Sequence, residues 1–313
     1  MFGQNQFSDI NAHLNGMFAE RGTLIAVHRG QPGGMLQENT IGALIAAERS
    51  GGDLVEMDVL RSRDGDYFMF HDGQEPQRFG FNHSLETFTS DEIAELSYEK
   101  RTKAPFYRVT RLDDLLDALP DRVILNIDRS WRYWADSDLL PWLGKRDLAP
   151  RLLMKVDAAD AEAFEAARRA EVKFPLLPIA STVEQLDPII RDPDLNVIGV
   201  EFVARDSSHP FCDREWIQGL RASGIFSYVN GLDLGNGLPM YAGWDDSVAI
   251  LNGADAGWGP IVDRGVDVIQ TDFTALLDEY LCLRGVRTRT PLHVLQTTEA
   301  ISMFNTNRSA GPC

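Results

Sequence analysis

Short apolar runs rich in β-formers recur along the chain, at 24–28 (LIAVH), 54–60 (LVEMDVL), 67–71 (YFMFH), 122–128 (RVILNID) and 151–156 (RLLMKV). They continue at 174–179 (FPLLPI), 197–202 (VIGVEF), 225–229 (IFSYV) and 266–271 (VDVIQT). Helical patterns lie between most of them. Residues 40–50 (TIGALIAAERS) carry apolar groups at helical spacing, with Asn39 as the expected cap and Gly51-Gly52 as the stop. Residues 157–170 (DAADAEAFEAARRA) open with acids and close with Arg168 and Arg169, the favourable order for the helix dipole. Strand–helix alternation over this length predicts a parallel sheet, either doubly wound or closed into a barrel.

Nine strand candidates exceed the eight of a TIM barrel, and one connection resolves the excess. Only six residues separate Leu60 from Tyr67, and they contain an Asp64-Gly65 turn. A parallel crossover needs about a dozen residues or more, so this link is an antiparallel hairpin. The run at 67–71 is then a return strand, and eight strands remain for a TIM (β/α)8 barrel of α/β class. The return carries His71 down to the level of Glu56 and Asp58 at the C-terminal mouth, where such barrels keep their chemistry. Residues 1–22 are expected to form a helix under the barrel, 23–286 a single barrel domain and 287–313 a surface tail. The interruption at 73–121, with short helices expected near 90–97 (capped by Thr89 or Ser90) and 112–119, reads as an elaborated loop over the mouth. A nucleotide-binding fold would need a Gly-rich turn opening a helix straight after the first strand; here the helix starts only near Asn39.

Composition changes this picture little, with 44% hydrophobic and 25% charged residues. The net charge of −17 argues against nucleic acid or an anionic membrane as partner. It also means that a phosphate substrate needs local neutralisation by a metal or by placed Arg and Lys. Cys212, Cys282 and Cys313 are too few and too scattered for a disulfide framework, which fits a reducing compartment. The first residues lack signal-peptide features, and no run of about 18 apolar residues suggests a membrane span. A cytoplasmic location is the expectation, although an exported chain stripped of its signal would look the same. The acidic surface fits a monomer and a homodimer equally.

Glu56 and Asp58 stand two apart on an otherwise apolar strand, so both carboxylates share one face. Facing the barrel interior they would repel one another unless a cation lay between them, and oxygen-only ligands suit Mg²⁺ or Ca²⁺. An exposed edge strand with both acids in water would give the same pair. His28 with Arg29, and His71 with Asp72, could each be structural rim residues. Their arrival with two acids at one end of the barrel points instead to phosphodiester cleavage, which needs a base, an acid and cations around the phosphate. Asp128 closes VILNID and becomes a candidate third ligand, with Asn126 on the same face. Lys155 ends LLMK and could bind a phosphate oxygen, or be an ordinary strand-end lysine. Trp131, Tyr133 and Trp134 could wall the pocket or pack beneath the loop.

These residues resemble the glycerophosphodiester phosphodiesterase family. The resemblance rests on HRG at 28–30, ENT at 38–40, Glu56-x-Asp58, SRDG at 62–65, HD at 71–72, VTRLDDLLDAL at 109–119, the strand ending at Asp128, and GVDVIQTD at 265–272. It spans roughly residues 24–285 and implies a TIM barrel that hydrolyses a small-molecule glycerophosphodiester to glycerol 3-phosphate and an alcohol. It implies His28 and His71 as the acid–base pair, Arg29 on the phosphate, and Glu56 and Asp58 on a divalent cation. Two departures stand out. The family's usual Glu-x-Lys is here Asp128-Arg129-Ser130, so that Lys155 would replace the lysine and Asp128 the glutamate. YVNGLDLGNG at 228–237 replaces a tryptophan-containing strand. The Asp ligand resembles sphingomyelinase D-like relatives, which makes cleavage of a lysolipid to a cyclic phosphate the alternative activity, with the Phe79–Phe88 segment as an apolar approach. A catalytically silent phosphate-binding barrel is the non-enzymatic alternative.

Overall fold

The computed structural model describes residues 1–98 and 107–289. Eight parallel strands close on themselves: β1 (Leu24–Val27), β2 (Leu54–Arg61), β5 (Ile124–Asp128), β6 (Leu152–Asp157), β7 (Leu176–Ala180), β8 (Gly199–Phe202), β9 (Phe226–Asn230) and β10 (Val268–Thr271). Closure is made by β1, which pairs with β10 on one side and β2 on the other. The chain is a TIM barrel. The surplus strand is a hairpin, as the short link requires: β3 (Tyr67–Met69) runs antiparallel to the end of β2 and pairs onward with β4 (Thr110–Arg111). Phe70 N–H donates to the Asp58 carbonyl at 3.0 Å, which brings the residue before His71 level with the second acid of β2.

The interior is layered, and the layering explains why each strand changes character along its length. At the bottom, Leu24, Leu54, Ile124, Leu153, Phe226 and Val268 belong to one apolar cluster. The helix α1 (Ser8–Arg21) seals it from below through Leu14, Met17 and Phe18. Above that floor the buried residues turn polar. Glu56 pairs in register with Asn126 and Asp58 with Asp128, and Gln270 lies beside Asn230. The alternate residues, such as Val55, Met57, Leu125 and Ile127, face outward into the larger core shared with the surrounding helices. Removing apolar area of this kind from water stabilises by about 25 cal/mol per Å², so the barrel wall can bear a polar centre.

Local details settle one expectation, the Thr89 cap, and differ from two others, the cap of the helix after β1 and the Phe79–Phe88 segment. The helix α2 (Ile41–Arg49) is capped by Thr40, whose side chain accepts from Ala43 N–H; Asn39 instead takes a left-handed conformation (φ 56°) and turns to Asp58. The helix Ser90–Ala94 is capped by Thr89 in a capping box with Glu92. Phe79, Phe81 and Phe88 stack on one another in a small core under the loop, with neighbouring centroids 5.7 and 5.3 Å apart, rather than forming an open apolar approach. Of the expected tail, 290–313 lies outside the described residues, as does 99–106 of the loop. Arg287 is fully buried in the barrel floor, paired with Asp53 at 2.5 Å and Asp278 at 2.7 Å.

Candidate active site

The two acids of β2 and the last residue of β5 converge because a parallel register places Asp58 beside Asp128 and keeps Glu56 one layer below. One oxygen from each of Glu56, Asp58 and Asp128 lies within 4.8 Å of the others. Glu56 and Asp58 are almost completely buried. Each carboxylate is held by a residue whose backbone is left-handed. Arg29 (φ 53°) donates its N–H to Glu56 Oε2 at 2.9 Å. Asn39 donates its side-chain amide to Asp58 Oδ2 at 2.9 Å and accepts Asp58 N–H at the same distance. Arg129 (φ 61°) donates its N–H to Asp128 Oδ1 at 2.6 Å. Such a conformation costs a non-glycine residue about 1–2 kcal/mol, a strain that persists where surrounding structure enforces it.

This bonding leaves Glu56 Oε1 and Asp58 Oδ1 without a donor among the described residues. An all-oxygen set with free lone pairs fits a hard divalent cation. The electrostatics agree. Burial, followed by the charge of Asp58, pushes the Glu56 carboxyl up to about 8, a strain that a cation would relieve. Burial also works against Asp128, but the charge and hydrogen bond of Lys155 outweigh it and hold that carboxyl below its usual range.

The imidazoles approach from the β1 and β3 ends. His28 places Nδ1 3.0 Å from Asp272 Oδ1, so Nδ1 carries the proton, and Nε2 has no partner among the described residues. Burial pulls its pKa down, but the hydrogen bond to Asp272 and the charge of Glu56 prevail, and His28 titrates above its ordinary value. His71 Nδ1 lies 2.7 Å from the carbonyl of Asp72, which can only accept, so Nδ1 is protonated here too. Its Nε2 is 3.5 Å from a terminal nitrogen of Arg129. Arg29 reaches Glu38 at 3.2 Å and Asp58 at 3.3 Å.

Lys155, expected near a phosphate, has its ammonium inside the barrel, 3.1 Å from Asp128 and 2.8 Å from Glu201, with 2% of the side chain exposed. Burial disfavours its charge, yet the two carboxylates raise its pKa well above normal. Asn126 lies beneath, donating to the Tyr228 hydroxyl at 3.1 Å. Tyr133 and Trp134 are buried, Tyr133 bonded to Glu86 and Trp134 to Ser130, so both pack rather than wall a pocket.

Glu201 and Asp272 were not singled out from the sequence. For Glu201 the signal was present, an acid in an apolar strand (VIGVEF) like the one that marks Glu56. Asp272 closes GVDVIQTD, but its link to His28 spans 244 residues.

The chain is similar to known proteins in sequence and in fold. The family described as glycerophosphoryl diester phosphodiesterase matches residues 28–210, more than half of the chain, and a domain of unknown function matches 177–281. Among solved structures, a glycerophosphoryl diester phosphodiesterase from Parabacteroides distasonis is 18% identical with a TM-score of 0.63, covering 85% of this chain and 88% of that one. One from Thermotoga maritima is 19% identical with a TM-score of 0.58, covering 82% and 98%. A phosphodiesterase from Oleispira antarctica, in complex with the product sn-glycerol-3-phosphate, is 17% identical with a TM-score of 0.59, covering 83% and 97%. At such identities the structural likeness concerns the fold. No curated protein matches the sequence. On the family match, the chain belongs to the glycerophosphoryl diester phosphodiesterase family and is a phosphoric diester hydrolase.

Proposed function

We propose that this protein hydrolyses a glycerophosphodiester to glycerol 3-phosphate and an alcohol, with His28 and His71 as the acid–base pair and Glu56, Asp58 and Asp128 as ligands of Mg²⁺ or Ca²⁺. The observation that carries the reading is the convergence of three braced carboxylates with two imidazoles, each tied through Nδ1 and so presenting Nε2. When bound, the cation would neutralise charge on the non-bridging phosphate oxygens. The Arg29 guanidinium, already braced by Glu38 and Asp58, would bind one of those oxygens. His71, with Nδ1–H on a carbonyl, has the tautomer whose Nε2 accepts the proton of the attacking glycerol hydroxyl. His28, whose charged form Asp272 favours, donates from Nε2 to the leaving alcohol oxygen. The hydroxyl oxygen bonds to phosphorus as the bond to the alcohol oxygen breaks, closing a cyclic phosphodiester, and water then opens it to glycerol 3-phosphate with the proton transfers reversed.

A second reading, cleavage of a lysolipid, has one observation in its favour. Met35, Leu36, Leu234, Leu238 and Phe273 are exposed on the connections leaving β1, β9 and β10, neighbours in the barrel. The protein stripped with EDTA should be assayed against glycerophosphocholine, glycerophosphoethanolamine and lysophosphatidylcholine with Mg²⁺ or Ca²⁺ restored, following products by phosphorus NMR. Metal-dependent glycerol phosphate, lost in Glu56→Ala and His28→Ala, is the expected result. A cyclic phosphate from the lysolipid favours the second reading, and absence of turnover on every diester refutes both.

A further inference from the structure

We propose that Arg129 is the second guanidinium of the phosphate site, binding a non-bridging oxygen pair from the side opposite Arg29, while Lys155 remains a positioning residue beneath Asp128. The inference rests on the phosphodiester reading of the same site. Arg129 directly follows Asp128 as Arg29 directly follows His28, and both have left-handed backbones that aim an N–H at an acid of the triad. The two side chains therefore reach over the acidic cluster from strands β1 and β5, which flank β2 on either side.

Three observations separate Arg129 from Lys155. First, its guanidinium already lies at the working end of His71, 3.5 Å from Nε2, so the phosphate of a diester whose attacking hydroxyl meets that nitrogen falls within its reach. Second, its bonding is incomplete. Nε is buried without a hydrogen-bond partner, and the pair with Asp72 Oδ1, although 2.5 Å long, is not aligned as a hydrogen bond. Third, Arg129 can leave that pair cheaply. Arg132 holds the other oxygen of Asp72 at 3.1 Å, so the carboxylate keeps a cation when Arg129 turns to a phosphate. Lys155 has no such freedom. Moving its ammonium to a substrate would strip the counter-charge from the half-buried Asp128 and leave the buried Glu201 without one. A forked guanidinium also suits two phosphate oxygens at once, which a point-charge ammonium does not.

The test is the affinity for inorganic phosphate, measured by isothermal titration calorimetry on metal-loaded wild type, Arg129→Gln and Lys155→Met, with melting temperature read alongside. Arg129→Gln is expected to weaken phosphate binding by roughly 10- to 100-fold, the value of a charged hydrogen-bonded contact, with little change in melting temperature. Lys155→Met is expected to move chiefly the melting temperature. Phosphate binding by Arg129→Gln at wild-type affinity overturns the proposal, as does a loss confined to Lys155→Met. Should Arg129→Gln fail to fold, Arg129→Lys replaces it: it keeps the charge and loses the fork, and an unchanged phosphate Kd there overturns the two-donor contact. If the wild type cleaves no diester yet phosphate affinity still depends on Arg129, the catalytic reading fails and this one stands.

Discussion

Replacing Lys155 by methionine removes a charge while nearly preserving volume, and the structure sets what that should cost. The ammonium lies 3.1 Å from Asp128 and 2.8 Å from Glu201, and 5.3 Å from the centre of the Tyr228 ring. Without it, the buried Glu201 and the half-buried Asp128 stay uncompensated beside Glu56 and Asp58. Removing one partner of a buried ion pair typically costs about 3–5 kcal/mol, because the other charge is left uncompensated. For a chain of this size that corresponds to a fall in melting temperature of about 5–8 °C. The loss should depend on pH with a definite sign. In the wild type Lys155 depresses the Asp128 carboxyl below 3.8, so the stability it contributes is complete above that value and fades only as pH falls through the folded pKa. In the variant the stranded acids can be neutralised by protons, so the deficit should be largest near pH 8 and shrink toward pH 5. Urea denaturation of EDTA-treated wild type and Lys155→Met at those two pH values measures it. Adding Glu201→Gln to the variant should restore part of the loss. A deficit below about 1 kcal/mol, or one that does not change with pH, would refute the account of Lys155 as the cation that neutralises this layer.

Glu56, raised from 4.5 to about 8 in the metal-free fold, predicts that apo stability declines as pH rises from about 4.5 to 8 and then levels. Glu56→Gln should flatten that decline in urea titrations, and calorimetry in two buffers at pH 7 should show about one proton released when Mg²⁺ or Ca²⁺ binds the wild type, and less in the variant. Asp272→Asn removes the charge that raises His28 and leaves only a neutral acceptor for its Nδ1–H, so the alkaline limb of the pH–kcat profile should move to lower pH, with kcat reduced. An unmoved limb would take the acid role from His28. Arg287→Ala breaks pairs with Asp53 and Asp278 in the barrel floor and should cost about 3–5 kcal/mol by chemical denaturation while leaving KM for the diester unchanged.

What the sequence by itself determined is what depends on short spans of chain. Alternation of strands and helices specified the parallel class, and six residues between Leu60 and Tyr67 were too few for a crossover, which forced the hairpin and left eight strands. Two acids in an apolar strand share a face by period alone, so Glu56 and Asp58 could be paired without coordinates. Beyond that reach the strand periodicity is silent, because it says which face a side chain takes and not which distant strand it meets. The choice of Thr40 over Asn39 as cap follows from Asn39 being drawn to Asp58, a contact set by how α2 meets β2. That His28 is tied to Asp272, that Lys155 is enclosed by Glu201, and that Arg129 lies against His71 follow from closing the barrel and from its register. Closure brings β1 beside β10 and aligns the polar ends of strands far apart in the chain, and only in that shared layer do their charges decide which groups stay ionised and which remain free to bind.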